Sequence, residues 1–149
     1  MLHRRGTLEH AAGLKRAAER IGATRPDLLA QIALAQADRQ IEARQYAEAT
    51  RTLIDDVLSH PRRATPPTAL QVMIRLDDAL RKQQDVPRLA AIYGKIFRAL
   101  PRPAPSRHGR STAYYQIGAR YAAALEEIEQ AQQAAQVRVK IQSIVLPAP

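Results

Sequence analysis

A proline-terminated helical segment occurs twice in the chain, and it limits the possible folds more than any other feature. Residues 46–61 read YAEATRTLIDDVLSHP, with apolar residues at helical spacing and a proline at the end. Residues 86–101 form a similar segment that also ends in a proline. The two segments start 40 residues apart, which is typical of proteins built from a repeated helical unit.

The 3.6-residue periodicity continues through most of the chain, and it predicts more than about 65% helix. Thr24 and Pro26 form a helix start, because threonine caps an N-terminus and proline needs no hydrogen-bond partner in the first turn. Ser111 or Thr112 can cap a later helix. Prolines at three alternate positions exclude helix between residues 101 and 105 and predict an extended linker there.

The C-terminal part of the chain leaves two alternatives open. A last helix is expected over about residues 127–141, but residues 137–141 read VRVKI, a strict alternation that is typical of a short strand. Residues 143–149 are predicted to form a tail whose last three residues are frayed.

Composition restricts the class of protein. The 149 residues are enough for one domain with its own core, and the absence of cysteine excludes disulfides and thiolate metal sites. The formal charge of +9 favours anionic partners. The N-terminus has charge but no following apolar region, so it is not a secretory signal, and a cytoplasmic location is expected if the chain is complete. No apolar run is long enough to predict a membrane span.

Two segments resemble the tetratricopeptide repeat, a pair of antiparallel helices. Tyr46, Ala49, Leu53 and Pro61 match the second-helix pattern of that family, and the first-helix pattern is matched by Tyr114, Ile117, Gly118 and Tyr121. The resemblance implies an all-α fold, a right-handed α–α superhelix of about three antiparallel helical hairpins. The hairpins are expected at residues 25–61, 65–101 and 111–142, after a leading helix over residues 7–22. An ordinary helical bundle is the alternative.

No catalytic, cofactor or metal site is predicted. No two of the four histidines lie three or four residues apart, so the sequence offers no helical pair of histidine ligands for a metal ion. The pairs Asp55–Asp56 and Asp77–Asp78 are adjacent, so their carboxylates point about 100° apart on a helix and do not converge on one substrate. Phosphate-binding and hydrolase motifs are absent from the sequence. The sequence therefore predicts a non-enzymatic protein.

The expected binding surface is the concave groove that the resemblance implies. Aligning the repeated units at the 40-residue offset pairs three first-helix positions with chemically similar residues, and the third unit adds Tyr115. The groove would bind a polypeptide segment, with Asp38 and Asp78 orienting basic or amide-rich groups unless they pair with cations one turn away, such as Lys82. The predicted groove residues are Gln31, Leu34, Asp38, Gln71, Ile74, Asp78 and Tyr115.

The alternative function is binding of nucleic acid or another anion by the basic stretch at residues 86–125. This stretch has no acidic residue and contains every aromatic residue except Tyr46. Arginine and tyrosine are used in phosphate contacts and base stacking, although its aromatic residues also occupy expected interhelix packing positions. The arginines best placed for an anion are those of the proline-rich loop, Arg102, Arg107 and Arg110.

Overall fold

The computed structural model describes residues 25–148 together with residues 12, 13 and 16. The predicted leading helix over residues 7–22 therefore lies almost entirely outside the described residues. The all-α prediction is confirmed, because the structure is 74% helical and has no strand among the residues described.

Six α-helices and two short helical turns follow one another along the described chain. The second helix, α2, continues directly into a π-helical turn, π1, and a 3₁₀ turn precedes α5. Their bounds are α1 Pro26–Glu42, α2 Tyr46–Leu53, π1 Ile54–Leu58, α3 Pro66–Lys82, α4 Val86–Ala99, the 3₁₀ turn Gly109–Ser111, α5 Ala113–Glu127 and α6 Ala131–Gln142.

Helix starts follow the sequence signals. Prolines occupy the first turns of α1, α3 and α4, where no intrahelical donor is required. The Asp85 carboxylate accepts a hydrogen bond from the Arg88 backbone N–H at 3.2 Å. Thr112 caps α5 in the same way, because its hydroxyl accepts from the Tyr115 backbone N–H at 3.2 Å. Each cap satisfies a backbone donor that the helix itself leaves free.

The same turn without glycine follows α1, α3 and α5. Arg44, Gln84 and Glu129 lie just beyond these helices with φ of 60°, 56° and 63°, in the left-handed region. At the first turn the Gln45 N–H donates to the Gln40 carbonyl at 2.8 Å, the backbone bond that defines a Schellman motif. The chain therefore turns at Arg44–Gln45, where the sequence requires a turn but offers no glycine.

The chain divides into two compact units, Met1–Gln84 and Asp85–Pro149. The helices predicted as the second hairpin, residues 65–101, fall in different units, and each unit is described separately below.

In the first unit, α2 packs against both α1 and α3. Two side-chain hydrogen bonds show where α1 and α3 end relative to α2. The Thr52 hydroxyl donates to Gln40 at 2.8 Å in the interior, and the Gln83 amide donates to the Thr50 hydroxyl at 3.1 Å. Gln40 is near the C-terminal end of α1 and Gln83 directly follows α3, so both helices end beside Thr50 and Thr52, and a short connection joins each of them to the continuous helix formed by α2 and π1. The helices α1 and α3 therefore run in the same direction and α2 runs against them.

The second helix differs from the uniform helical spacing predicted for residues 46–61. After Leu53 the backbone widens into π1, where the Ser59 N–H donates to the Ile54 carbonyl five residues earlier at 2.9 Å. A π-turn inserts one residue into the helical register, which rotates the following side chains relative to the preceding helix. Val57 is still fully buried, while Ile54 and Leu58 are partly exposed.

In the second unit, α5 packs against α4 and α6. The ring of Phe97 on α4 lies 4.9 Å from that of Tyr114 and 6.0 Å from that of Tyr121, both on α5. Gly118 faces the same place, since a Cβ there would collide with Cγ2 of Ile141 on α6 and lie 2.9 Å from Phe97 Cε2. A residue without a side chain is therefore required where the three helices meet.

The alternating segment at residues 137–141 is helical. Val137 and Ile141 are four residues apart and bury one face of α6, while Val139 between them is exposed. Beyond α6 the tail pairs with the proline-rich loop through a parallel bridge between Ser106 and Val145. The Ser106 N–H donates to the Ile144 carbonyl at 3.0 Å, and the Leu146 N–H donates to the Ser106 carbonyl at 2.9 Å. The start of the tail is therefore an ordered part of the second unit.

Candidate partner-binding surfaces

The first candidate surface is the α1–α3 face, which carries the predicted groove residues of the first unit. Gln31 on α1 and Gln71 and Asp78 on α3 are exposed, and Ile74 is a large apolar residue with 47% of its surface exposed. Leu34 differs from the others, because it is 2% exposed and lies in the core. It contributes to the packing of α1 and offers no apolar pocket at the surface.

Asp38 is engaged within the first unit by Arg75, a residue of α3 that the sequence reasoning did not select. The guanidinium Nε donates to Oδ1 at 2.7 Å and a terminal nitrogen donates to Oδ2 at 3.1 Å. The third nitrogen of the fork donates to the Gln71 carbonyl at 3.0 Å. This pair joins α1 to α3 and neutralises Asp38, so the cation comes from the neighbouring helix and not from one turn away.

Asp78 has no such partner in the part of the chain that the structure describes. Among the residues that the structure describes, Asp78 forms no hydrogen bond or ion pair, and Lys82 four residues later does not contact it. The adjacent Asp77 instead binds Arg81 at 2.7 Å on another side of the helix. Asp78 is therefore the carboxylate of the α1–α3 face that is available to a ligand.

Tyr115 belongs to the second unit, on α5, and is partly exposed. It lines a shallow depression of about 410 Å³ together with Arg110 and Arg120. The predicted groove residue Tyr115 and the predicted anion-binding residue Arg110 thus share one local surface.

The second candidate surface lies between the proline-rich loop and the tail. Arg107 and Arg110 line a pocket of about 440 Å³ whose other residues come from the end of α6 and the tail. Arg102 does not line this pocket, because its guanidinium donates to the Ser143 hydroxyl at 2.7 Å. The structure therefore places two of the three predicted arginines in one pocket and uses the third to hold the tail.

The aromatic residues of the basic stretch are mostly in the core. Tyr93, Phe97, Tyr114 and Tyr121 are buried, as their expected packing positions predict. The Tyr121 hydroxyl also accepts a hydrogen bond from Gln133 at 3.0 Å. These rings cannot stack on nucleic-acid bases without opening the unit.

No family model matches the chain, and comparison with curated proteins and with solved structures also finds no match. The described residues contain no group of three His, Asp or Glu side chains arranged to hold a metal ion. Within the same part of the chain, every helix is too short or too polar to cross a membrane.

Proposed function

We propose that this protein is a non-enzymatic interaction scaffold that binds a polypeptide segment along the α1–α3 face. The observation that carries the proposal is the exposed pair Ile74 and Asp78, one turn apart on α3, of which Asp78 forms no hydrogen bond or ion pair with another described residue. An exposed large apolar residue beside an unpaired carboxylate offers both contact area and orientation to a ligand.

The chemistry of this face specifies the class of segment. Asp78 favours a segment that carries a lysine or arginine. Ile74 favours an apolar residue in the same segment, one turn from that cation if the segment is helical or two residues from it if the segment is extended. The amides of Gln31 and Gln71 can donate to and accept from a peptide backbone. Asp38 contributes indirectly, because its pair with Arg75 holds the two helices that carry these groups.

The resemblance to tetratricopeptide repeats supports the same reading. In such an array, first helices line the concave face, and α1 and α3 occupy first-helix positions in the proposed hairpins. A right-handed superhelix of about three hairpins therefore remains part of the proposal.

The test is selection of peptides from a random display library on the wild-type protein, followed by affinity measurements on variants. We expect Asp78→Asn and Ile74→Ala each to weaken the selected peptides about three- to tenfold, since each removes roughly 1 kcal/mol of contact. Asp55→Asn is the matched control, because Asp55 is an exposed carboxylate on π1 outside this face. Selected peptides that bind both variants as tightly as the wild type refute the proposed surface.

Nucleic-acid binding is the less favoured function because four of the aromatic residues in residues 86–125 are buried. Replacing Arg102, Arg107 and Arg110 with alanine distinguishes the two functions. Loss of the partner in this variant, with binding that falls steeply between low and moderate salt, would support a phosphate-bearing partner and contradict the groove.

A further inference from the structure

The pocket between the proline-rich loop and the tail has one cationic wall and one apolar wall. Arg107 and Arg110 form the cationic side, and the Gln142 amide lies at the end of α6. The apolar side consists of consecutive tail residues, Val145, Leu146, Pro147 and Ala148. A volume of about 440 Å³ falls within the range of small-molecule sites.

The tail wall is held in place by contacts that do not involve the pocket-lining side chains. The backbone bonds on both sides of Ser106 fix residues 144–146, and Arg102 fastens Ser143. Gly109 lies so close to the Ile144 carbonyl that a Cβ there would collide with it. The part of the apolar wall formed by Val145 and Leu146 is therefore fixed by the fold of the unit before a ligand binds.

No carboxylate of the residues that the structure describes pairs with the cationic wall. Residues 85–149 carry nine Lys or Arg against four Asp or Glu. Of those four acids, Glu126 is taken by Arg138 at 2.6 Å and Asp85 caps α4. Among the described residues, neither Arg107 nor Arg110 forms an ion pair. Two unpaired guanidinium groups beside an apolar wall attract an anion that also carries an apolar group.

We propose that this pocket binds a carboxylate attached to an apolar group. A guanidinium matches a carboxylate in a two-point geometry. A singly charged head also suits a pocket that is half apolar, because the desolvation of a phosphate dianion costs more. The lining contains no aromatic side chain for a nucleobase to stack on. A free aliphatic acid and the C-terminal carboxylate of a peptide share this chemistry.

The experiment is a titration of the full chain, observed by backbone NMR, with hexanoate, hexanol and inorganic phosphate as probes. Hexanoate is expected to give saturable shifts in residues 106–110 and 142–148. Hexanol and phosphate are each expected to bind at least about tenfold more weakly, since each lacks one of the two groups. Equal affinity for hexanoate and phosphate, or for hexanoate and hexanol, overturns the proposal.

Variants assign the contacts. The double change Arg107→Gln and Arg110→Gln is expected to weaken hexanoate at least about tenfold, whereas Arg88→Gln, an exposed arginine on α4, changes it less than about twofold. Leu146→Ala is expected to weaken hexanoate about threefold while leaving phosphate unchanged, because the Leu146 backbone bond to Ser106 does not need the side chain. Wild-type affinity in the double variant, with an unchanged NMR fold, refutes the site.

A peptide pair identifies the source of the carboxylate. An acetylated dipeptide ending in a leucine carboxylate is compared with the same dipeptide ending in an amide. Binding of the carboxylate peptide tighter than hexanoate assigns the site to chain termini, and the reverse order assigns it to free acids. Equal binding of the carboxylate and amide peptides contradicts the proposal. This inference does not rest on the α1–α3 face, so either one can fail alone.

Discussion

Adding one methyl group at Gly118 tests how the helices of the second unit pack. Helix propensity alone predicts that Gly118→Ala stabilises α5 by about 1 kcal/mol. The structure predicts the opposite, because the new Cβ would collide with Cγ2 of Ile141 and lie 2.9 Å from the ring of Phe97. Both residues are buried, and the Phe97 ring also packs 4.9 Å from Tyr114.

The expected net effect follows from these two opposing contributions. Overpacking of a well-filled core typically costs about 1–3 kcal/mol, and we expect the upper end here because the new Cβ meets two buried side chains at once. Subtracting the propensity gain leaves a decrease of roughly 2 kcal/mol in the free energy of unfolding. Chemical denaturation followed by circular dichroism measures this quantity directly.

A double-mutant cycle links the effect to the named contact. Ile141→Ala removes Cγ2 and by itself costs about 2–5 kcal/mol, as truncation of a buried isoleucine does. In the Gly118→Ala background the same truncation is expected to cost about 1–2 kcal/mol less, because it relieves the overlap. Additive effects within about 0.5 kcal/mol, or a Gly118→Ala variant more stable than the wild type, would refute the proposed packing.

Two further predictions concern the first unit. Leu53→Ala is expected to lower the free energy of unfolding by about 2–5 kcal/mol, because the side chain of Leu53 on α2 is fully buried. A change below about 0.5 kcal/mol in chemical denaturation would contradict this packing. Arg44→Gly is expected to raise the free energy of unfolding by about 0.5–1 kcal/mol, because glycine adopts the left-handed φ of 60° without steric strain. The control is Arg51→Gly, at an exposed position within α2, which is expected to lower the free energy of unfolding by a similar amount. If both glycine variants changed this free energy in the same direction, relief of the left-handed backbone at Arg44 would be excluded as the cause.

Local sequence signals predicted most helix positions. The sequence predicts a helix start at Thr24 and Pro26, and the first described helix begins at Pro26, because the proline signal acts within a few residues. Thr112, one of two possible caps, is the one used. The π-turn after Leu53 is not predicted, since Leu53, Ile54, Val57 and Leu58 fit the spacing of an uninterrupted α-helix.

Contacts between distant residues were beyond the sequence reasoning. The cations considered for Asp38 were those one turn away, whereas its partner Arg75 lies 37 residues later. The burial of Leu34 has the same origin: alignment with Ile74 matches their chemistry, but α1 and α3 have different neighbours, so only Ile74 is exposed. The pocket at Arg107 likewise depends on a tail that returns to the loop about 40 residues later.

The bridge between the loop and the tail also determines how a mechanical load on the tail is carried. The hydrogen bonds from Ser106 to Ile144 and from Leu146 to Ser106 lie on either side of one residue. A pull on residues beyond Leu146 therefore acts on these two bonds before it reaches α6, and it passes through them into the proline-rich loop. The last turn of α6, which ends at Gln142, is reached only after both bonds break. The bridge thus acts as a clamp that protects α6 from unwinding from its C-terminal end.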